Sequence, residues 1–528
     1  MKLFHFLALA GAAVASPLEK RAGPSVKIAN GTINGGSSGK IEFFKGIPFA
    51  QPPVGKLRFK HPLPYDSDFG ELNGTNTAPL CVQADGSTGQ EDCLKLLVIR
   101  PATRPAAKLP VVVFIHGGSF SAGGAEDGND GTPLVEKGVA LGQPFVLVSI
   151  QYRLGAFGFL PGKELVGNAN LGLRDQRLAL EWVRDNIAAF GGDPDKVVIF
   201  GFSAGSMSCL DQTLINGGNA DGLFRGVILA SGSVLPALNV DHPKSQDVYD
   251  TLVSRTGCGS SGNTLECLRN LDAKTLQKAA YSLKTEYGHL GINLPYLPRP
   301  DPSDSFFSVS PDAALSAGKF SKVPVLSGDT EDEGTLFALT QANITTSAYL
   351  SNYIATYFPG YEQEAKTLVS KYPDDLGISG APYGTGLNGN VFGQFKRLAS
   401  ILGDLAFIFE RRFHLQKVCD QVPCYSYLNS ALHGFNVLGS FHGSDGMVML
   451  SGASTVPAQT QQRYAISFIT TLDPNGDGVS SPLIQFPKYT SANPQLVLEQ
   501  GFNNELGKDD FRATQYKYWS ENVAKFRL

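Results

Sequence analysis

The segment VVIFGFSAGS, residues 197–206, constrains the fold of this chain more than any other feature. It begins as an apolar, β-branched run, which is the pattern of a buried strand. The run continues directly into a G-x-S-x-G pattern formed by Gly201, Ser203 and Gly205, in which the serine occupies a tight, strained turn between a strand and a helix. Small residues suit that turn because it is sterically crowded. An ordinary glycine-containing turn fits the segment equally well, so the rest of the chain must decide.

Strand-like runs alternate with helix-like segments along the chain. Apolar runs predict buried strands at residues 110–118, 144–155, 222–233 and 322–330. Residues 170–190 carry apolar side chains at helical spacing, and Gly191-Gly192 end that helix. This alternation predicts a largely parallel α/β sheet that is covered on both faces and carries functional residues at the C-terminal ends of its strands.

The composition is that of a globular protein with a large core. The chain has 528 residues, of which 42% are hydrophobic and 17% charged, and its net charge is −4. The absence of a long basic run argues against nucleic acid or an anionic membrane surface as a partner. No window after the N-terminal segment is long and apolar enough to span a bilayer, so no integral membrane segment is expected.

The N-terminal residues have the pattern of an export signal. Residues 1–16 combine a basic start, an apolar stretch and an A-x-A cleavage site, which predicts a signal peptide. Residues 17–21 end in Lys-Arg, so we expect a dibasic pro-peptide site and a mature chain that begins near Ala22. N-glycosylation sequons, which fit secretion, occur at Asn30, Asn73 and Asn343.

The chain has seven cysteines, which we expect to reach an oxidising compartment after export. Six lie as close pairs in the sequence and suggest three small loops, although spacing does not fix connectivity. These pairs are Cys81–Cys93, Cys258–Cys267 and Cys419–Cys424. Cys209 is left over on the helix predicted after Ser203, where we expect a buried structural thiol.

A nucleophilic serine needs hydrogen-bond donors for the oxyanion that forms when it attacks a carbonyl carbon. Residues 116–120, His-Gly-Gly-Ser-Phe, end the predicted strand at 110–118. They are similar to the HGGG-type oxyanion loop that accompanies a G-x-S-x-G turn. We therefore favour an oxyanion loop here over a simple glycine turn.

The serine also needs a base and an acid that orients the base. Both are expected after the serine, with the histidine last. Four carboxylates follow a predicted strand, and composition does not choose among Asp329, Glu331, Asp332 and Glu333. His442, in the glycine- and serine-rich GSFHGSDG loop, is the favoured base, and His433 is the alternative. His414 lies in a helix-like stretch and is expected to be structural.

Several long stretches resemble the type-B carboxylesterase and lipase family, which includes fungal lipases and cholinesterases. Residues 190–205 look like its serine signature, and residues 91–101 look like its second signature, around a disulfide cysteine. Residues 43–59, the YRLGAFGFL stretch at 152–160, and the DEG and GSFH motifs are similar as well. The resemblance covers nearly all of the mature chain.

The resemblance implies one large α/β-hydrolase domain, here residues 22–528, with a Ser–Glu–His triad. The nucleophile maps to Ser203, the glutamate of the DEG motif to Glu333 and the base to His442. The family's activity implies a secreted hydrolase of carboxylic esters that works through an acyl-enzyme. A triacylglycerol lipase is the favoured activity, a short-chain carboxylesterase or sterol esterase is the alternative, and a non-catalytic binding protein on the same fold is the remote alternative.

The resemblance also implies the oxyanion donors and two disulfides. The donors map to the backbone amides of Gly118, Ser119 and Ala204. The family's first two disulfides match Cys81–Cys93 and Cys258–Cys267, whereas Cys419–Cys424 is expected from spacing alone.

No cofactor or metal is expected, and the expected partner is an ester or lipid substrate, with transient contact to a lipid interface. The loop at residues 472–478, LDPNGDG, begins like an EF-hand, but its twelfth position would be Ile484 instead of a carboxylate. A turn-rich surface loop is therefore expected there.

Three positions depart from the family's pattern. The third oxyanion glycine is Ser119, whose backbone has less conformational freedom. The residue before the nucleophile, usually glutamate, is Phe202, which puts an apolar neighbour where a carboxylate is usual. The segment between Cys81 and Cys93 is short and polar, where typical fungal lipases carry a long amphipathic lid, so a large lid is not expected.

Overall fold

The computed structural model describes residues 23–83, 89–103, 105–126, 130–286, 291–375, 378–452, 455–476, 483–501 and 503–528. The predicted signal peptide and pro-peptide lie outside the described residues. So do residues 84–88, between Cys81 and Cys93, and residues 477–478 of the EF-hand-like loop.

A large mixed sheet crosses the molecule. The strands are β1 (Ser25–Ile28), β2 (Gly31–Asn34), β3 (Gly36–Ser38), β4 (Ile41–Pro48), β5 (Gly70–Asn73), β6 (Lys95–Pro101), β7 (Leu109–Ile115), β8 (Val146–Ile150), β9 (Gly192–Phe202), β10 (Gly226–Ala230), β11 (Val325–Thr330), β12 (Cys424–Asn429), β13 (Gln495–Glu499) and β14 (Asn504–Lys508). In the described part of the chain, eleven of them form one sheet in the order β14-β13-β12-β11-β10-β9-β7-β8-β6-β4-β3. Strands β1, β2 and β5 form a small separate sheet.

The middle of the large sheet is parallel, as predicted. Every neighbouring pair from β8 through β7 and β9 to β13 runs parallel, and only the outer strands pair antiparallel. Alternate residues of β7 face opposite sides: Val111 and Val113 belong to one apolar cluster, and Val112 and Phe114 to another. Because both faces are buried, the strand reads as a continuous apolar run instead of alternating with polar residues.

Helices cover both faces of the sheet. The helices are α1 (Thr132–Ala140), α2 (Gly155–Phe159), α3 (Leu171–Asn186), α4 (Ala204–Gly218), α5 (Pro243–Arg255), α6 (Thr264–Asn270), α7 (Ala273–Glu286), α8 (Pro311–Ser316), α9 (Thr335–Ala338), α10 (Ser347–Ala355), α11 (Glu362–Ser370), α12 (Phe395–Gly403), α13 (Phe409–Val418), α14 (Ser444–Leu450), α15 (Val456–Thr471) and α16 (Ala513–Glu521). Apolar side chains of α3 and α4 join the larger cluster, and those of α1 and α15 join the other. The helix predicted over residues 170–190 is α3 followed by a short 3₁₀ turn, which ends at Gly191 with φ of 87°.

Three disulfides join the cysteine pairs that lie close in sequence. The Cα atoms are 4.9 Å apart in Cys81–Cys93, 5.7 Å in Cys258–Cys267 and 5.3 Å in Cys419–Cys424. The last bond connects the end of α13 to the start of β12, and the thiol of Cys209 is buried and unbonded. Over the ranges that the structure describes, no helix is both long and apolar enough to cross a membrane.

Candidate active site

Ser203 occupies a sharp turn between β9, which ends at Phe202, and α4, which begins at Ala204. Its φ of 55° and ψ of −125° lie in a sparsely populated region for a residue with a side chain. A Cβ atom on Gly201 would lie 2.1 Å from the carbonyl oxygen of Gly205, and one on Gly205 would lie 2.0 Å from that of Ile115. Neighbouring backbone thus leaves no room for a side chain at either position, which explains why glycines flank the serine.

His442 connects Ser203 to Glu333. Its Nε2 atom lies 2.8 Å from Ser203 Oγ, and its Nδ1 atom lies 2.5 Å from Glu333 Oε2. Ser203 is 9% exposed, His442 8% and Glu333 1%. Glu333 comes from the turn after β11 and His442 from the loop before α14, so the fold brings together three distant segments. This is the geometry in which a carboxylate orients a base toward a nucleophile.

Glu333 is itself held by two donors on its other oxygen. Oε1 accepts hydrogen bonds from the backbone N–H of Thr330 and from the hydroxyl of Ser231, each at 2.7 Å. Ser231 lies directly after β10, at the same sheet edge as Ser203. Both carboxylate oxygens of Glu333 are therefore fixed, one to the protein backbone and Ser231 and the other to the imidazole.

A second buried carboxylate lies behind Glu333. Asp445 Oδ1 lies 2.8 Å from Ser231 Oγ and accepts from the N–H of Gly446 at 2.7 Å, and Oδ2 accepts from the hydroxyl of Tyr427 at 2.8 Å. Burial, followed by the charge of Glu333, raises the pKa of Asp445 to about 6. The single proton of Ser231 serves only one carboxylate at a time. When Asp445 is protonated, it donates a hydrogen bond to Ser231 Oγ, and the Ser231 hydroxyl donates to Glu333.

The other three carboxylates of this segment, one at the end of β11 and two after it, have different partners. Asp329 Oδ2 accepts from Arg411 Nε at 2.7 Å inside the core. Glu331 Oε2 lies 2.7 Å from Nδ1 of His433, the alternative base, whose side chain is 54% exposed. Asp332 accepts from the backbone N–H of Tyr383 at 2.9 Å and from that of Ser440 at 2.8 Å, and so fixes the loop that precedes His442. Of the four carboxylates, the structure places Glu333 against His442.

His414 is enclosed by the core. Its Nδ1 atom lies 3.2 Å from Ser233 Oγ, and burial lowers the pKa of His414 to about 3. A neutral, enclosed imidazole fits the structural role predicted for it.

The candidate oxyanion loop follows β7. Gly118 has φ of 111° and Ser119 φ of 54°, so the serine that replaces a glycine adopts a left-handed conformation despite its side chain. A Cβ atom on Gly117 would lie 3.0 Å from Cβ of Ser203, which shows how closely this loop approaches the turn. Over the described ranges, the backbone N–H groups of Gly118, Ser119 and Ala204 donate to no protein acceptor. These three amides are therefore free to donate to a substrate oxygen, which is what an oxyanion hole requires.

A narrow pocket with a mainly apolar lining opens beside Ser203. Side chains lining it include Met207, Leu235, Ile292, Phe337, Phe407 and Leu528. Leu528 is the last residue of the sequence, and its backbone is anchored: its N–H donates to Pro236 at 2.9 Å and its carbonyl oxygen accepts from Arg299 Nη1 at 2.8 Å. The apolar lining of the pocket suits a hydrocarbon chain next to the reactive serine.

Sequence reasoning missed Ser231, Asp445 and the aromatic residues of the pocket. Ser231 stands in the run predicted as a strand at residues 222–233, and Asp445 stands three residues after His442. Their position at the C-terminal edge of a parallel sheet and beside the predicted base was the available signal. Among the described residues, no group of three or more His, Cys, Asp or Glu side chains is placed to hold a metal ion.

Comparison with protein families identifies the chain as a whole, because residues 22–519 match the family described as "Carboxylesterase family". The chain belongs to the carboxylesterase family. It is therefore a carboxylic ester hydrolase of the α/β-hydrolase fold, as the sequence predicted.

Relatives within the carboxylesterase family include two fungal proteins. Secreted lipase 1 of Botryotinia fuckeliana is 44% identical over 97% of this chain and 95% of that protein. Secreted triacylglycerol lipase LIP1 of Gibberella zeae is 41% identical over 97% of this chain and 92% of that protein.

Solved structures of esterases share the fold. EstA of Aspergillus niger superposes with a TM-score of 0.80 at 25% identity, covering 96% of this chain and 99% of that one. A pNB esterase superposes with a TM-score of 0.76 at 27% identity, covering 94% of this chain and 99% of that one.

Proposed function

We propose that this carboxylesterase hydrolyses lipid esters, with triacylglycerols as the preferred class, through an acyl-enzyme on Ser203. The observation that carries the proposal is the position of the His442 imidazole. It contacts Ser203 Oγ at 2.8 Å and Glu333 Oε2 at 2.5 Å, beside an apolar pocket. A pathway for the serine proton and a place for an acyl chain thus occur at one point.

The proposed reaction begins when Ser203 Oγ attacks the ester carbonyl and His442 Nε2 takes its proton. The negative charge on the former carbonyl oxygen is stabilised by the free amides near Ser203, those of Gly118, Ser119 and Ala204. Glu333 accepts a hydrogen bond from Nδ1–H and stabilises the imidazolium. His442 then protonates the departing alcohol, and water releases the acid by the same steps. Each oxyanion donor contributes about 2.7–4 kcal/mol to the transition state.

The pocket supports an acyl group of fatty character, because aromatic and aliphatic side chains line it. The names of the Botryotinia and Gibberella relatives support triacylglycerols. The short segment between Cys81 and Cys93 favours the second candidate, a short-chain carboxylesterase, because it offers little apolar surface for a lid. Rates on esters of rising acyl length, measured below and above the solubility limit, separate the two: a lipase gains activity on emulsions, and a short-chain esterase does not.

Labelling with a fluorophosphonate tests the nucleophile. We expect the wild type to be labelled at Ser203 and the Ser203→Ala variant to be neither labelled nor active while it remains folded. Ser208→Ala is the matched control, since Ser208 is a buried serine of α4, the helix that follows Ser203, and contacts Gln176. Esterase activity retained by purified Ser203→Ala would reject the mechanism, and an unlabelled, inactive wild type would favour a binding protein on the same fold.

We also propose that the protein is secreted, with residues 1–16 as signal peptide and a mature chain beginning at Ala22. The sequons at Asn30, Asn73 and Asn343 lie on exposed or half-buried positions. Sequencing the N-terminus of protein from the culture medium tests the cleavage site, and endoglycosidase treatment tests the sequons. Full-length protein retained in the cells would contradict this proposal.

A further inference from the structure

Phe202, the residue before Ser203, places its ring against the imidazole of His442. The two ring centroids are 5.3 Å apart with an interplanar angle of 29°. The Phe202 side chain is half-buried and packs on the apolar cluster that contains α1 and α15. It is not one of the described residues that line the pocket beside Ser203. Its ring contacts the active site at His442 and also lies beside the candidate oxyanion loop, where Cδ1 would be 3.3 Å from a Cβ atom on Gly117.

The chain after His442 approaches this ring too closely for a side chain. A Cβ atom on Gly446 would lie 2.6 Å from Cδ2 of Phe202, and one on Gly443 would lie 3.1 Å from Cζ. Gly446 lies within α14 and does not have a positive φ, so its backbone conformation does not require glycine. A glycine inside a helix costs about 1 kcal/mol relative to alanine. The close approach of the Phe202 ring is the physical reason for a glycine at this position.

Two further phenylalanines lie against the imidazole. Phe407 lies 4.4 Å from it with an interplanar angle of 34°, and Phe337 lies 5.2 Å away at 50°. Unlike Phe202, both line the pocket. In the described part of the chain, Glu333 is the charged group that contacts the imidazole, and the carboxylates of Asp445 and Asp329 interact in turn with Glu333. Asp329 is paired with Arg411, so Glu333 supplies the charge that the imidazole meets directly.

We propose that Phe202 is a positioning residue for the ester hydrolysis. Its ring, seated on Gly446, holds the His442 imidazole in the one orientation that reaches Ser203 and Glu333 together. The inference rests on the proposed function, because His442 is the base of that reaction. Both hydrogen bonds of the imidazole lie at opposite sides of one flat ring, so a tilt of that ring loses at least one of them. A displacement of 1 Å in such a group reduces turnover on the order of 100-fold.

A double-mutant cycle tests the contact between ring and glycine. Gly446→Ala pushes the ring toward His442, so we expect kcat on a soluble ester to fall on the order of 100-fold with KM changed less than about two-fold, because Phe202 does not line the pocket. Phe202→Leu removes the flat face and is expected to lower kcat about ten-fold. The double variant is expected to match Phe202→Leu alone. Gly452→Ala is the matched control, since its nearest neighbouring atom would be 3.8 Å away.

The pH profile supplies a readout that simple packing does not move. Phe202→Glu places a carboxylate against the imidazole and favours its protonated form, so the acid limb of kcat/KM moves upward by about one pH unit. Phe202→Gln has the same shape without the charge, and its acid limb stays in place.

The outcomes separate this inference from the proposed function. If wild type is not labelled by a fluorophosphonate, the proposed function fails. If wild type is labelled but Gly446→Ala or Phe202→Leu keeps full kcat, or if their losses multiply in the double variant, the positioning role is wrong. Should Gly446→Ala not fold, Phe202→Leu and the Phe202→Glu and Phe202→Gln pair decide the question alone.

Discussion

Replacement of Glu333 by glutamine is the sharpest perturbation of the site, because it keeps the shape and removes one acceptor. Oε1 of Glu333 accepts from Thr330 N–H at 2.7 Å, and Oε2 accepts from His442 Nδ1 at 2.5 Å. A glutamine whose carbonyl oxygen faces Thr330 presents its NH₂ group to His442. Nδ1 must then be the acceptor, so the proton moves to Nε2, which can no longer take the proton of Ser203.

The magnitude follows from this tautomer exchange. The equivalent change in a serine protease triad lowers kcat about 10⁴-fold, which corresponds to about 5.5 kcal/mol of transition-state stabilisation. The opposite orientation of the glutamine amide leaves two donors facing each other at Thr330 and costs about 1–3 kcal/mol. We therefore expect Glu333→Gln to lower kcat by about 10³- to 10⁴-fold while the fold is retained.

The neighbouring carboxylates provide matched controls. Glu331→Gln changes a contact with the exposed His433, so kcat is expected within about two-fold of wild type. Asp332→Asn loses one of two backbone hydrogen bonds, to Tyr383 or Ser440, so it is expected to lower the free energy of unfolding by about 1–3 kcal/mol.

The assay combines steady-state kinetics on a soluble ester with thermal unfolding of each purified variant. If Glu333→Gln were the mildest of the three in kcat, or kept more than about a tenth of wild-type turnover, the assignment of the acid would be refuted. A loss of activity in Glu331→Gln equal to that of Glu333→Gln would instead point to His433.

Three further predictions concern the pocket, the core and a disulfide. Leu528→Ala removes part of the pocket wall and leaves room for a longer acyl chain. The kcat/KM for a longer acyl ester, divided by that for a shorter one, should therefore rise about ten-fold. An unchanged ratio would exclude Leu528 from contact with the acyl chain. Asp509→Asn leaves Arg411 and Arg412 without their shared carboxylate and should cost about 3–5 kcal/mol in denaturant unfolding near neutral pH. Burial raises the pKa of Asp509, but the two arginines outweigh it and hold that pKa at about 2, so this contribution is present above about pH 4 and is lost as the pH falls toward 2. A difference between wild type and variant that persists at pH 2 would contradict the ion pair. Changing both Cys419 and Cys424 to serine removes the disulfide that closes this short loop. The free energy of unfolding, measured in denaturant as above, should fall by about 2 kcal/mol, and a larger loss would indicate a role beyond loop closure.

The sequence alone determined the features that depend on neighbours along the chain. Strands of the parallel sheet appear as apolar runs because both of their faces are buried. The turn at Ser203 is visible because Gly201 and Gly205 meet backbone at about 2 Å, a constraint that only glycine satisfies. The order of the motifs and their family resemblance then indicated Glu333 and His442.

Tertiary structure decided what depends on contacts across the fold. Composition could not distinguish four carboxylates within five residues, since each one's partner comes from elsewhere in the chain. The partners are Arg411 for Asp329, His433 for Glu331, the backbone of Tyr383 and Ser440 for Asp332, and His442 for Glu333. Ser231 also joins segments far apart in sequence, because it contacts both Asp445 and Glu333. The contact of Phe202 with Gly446 does the same. Distances of this kind follow from how the sheet and helices pack, and no local pattern in the sequence encodes them.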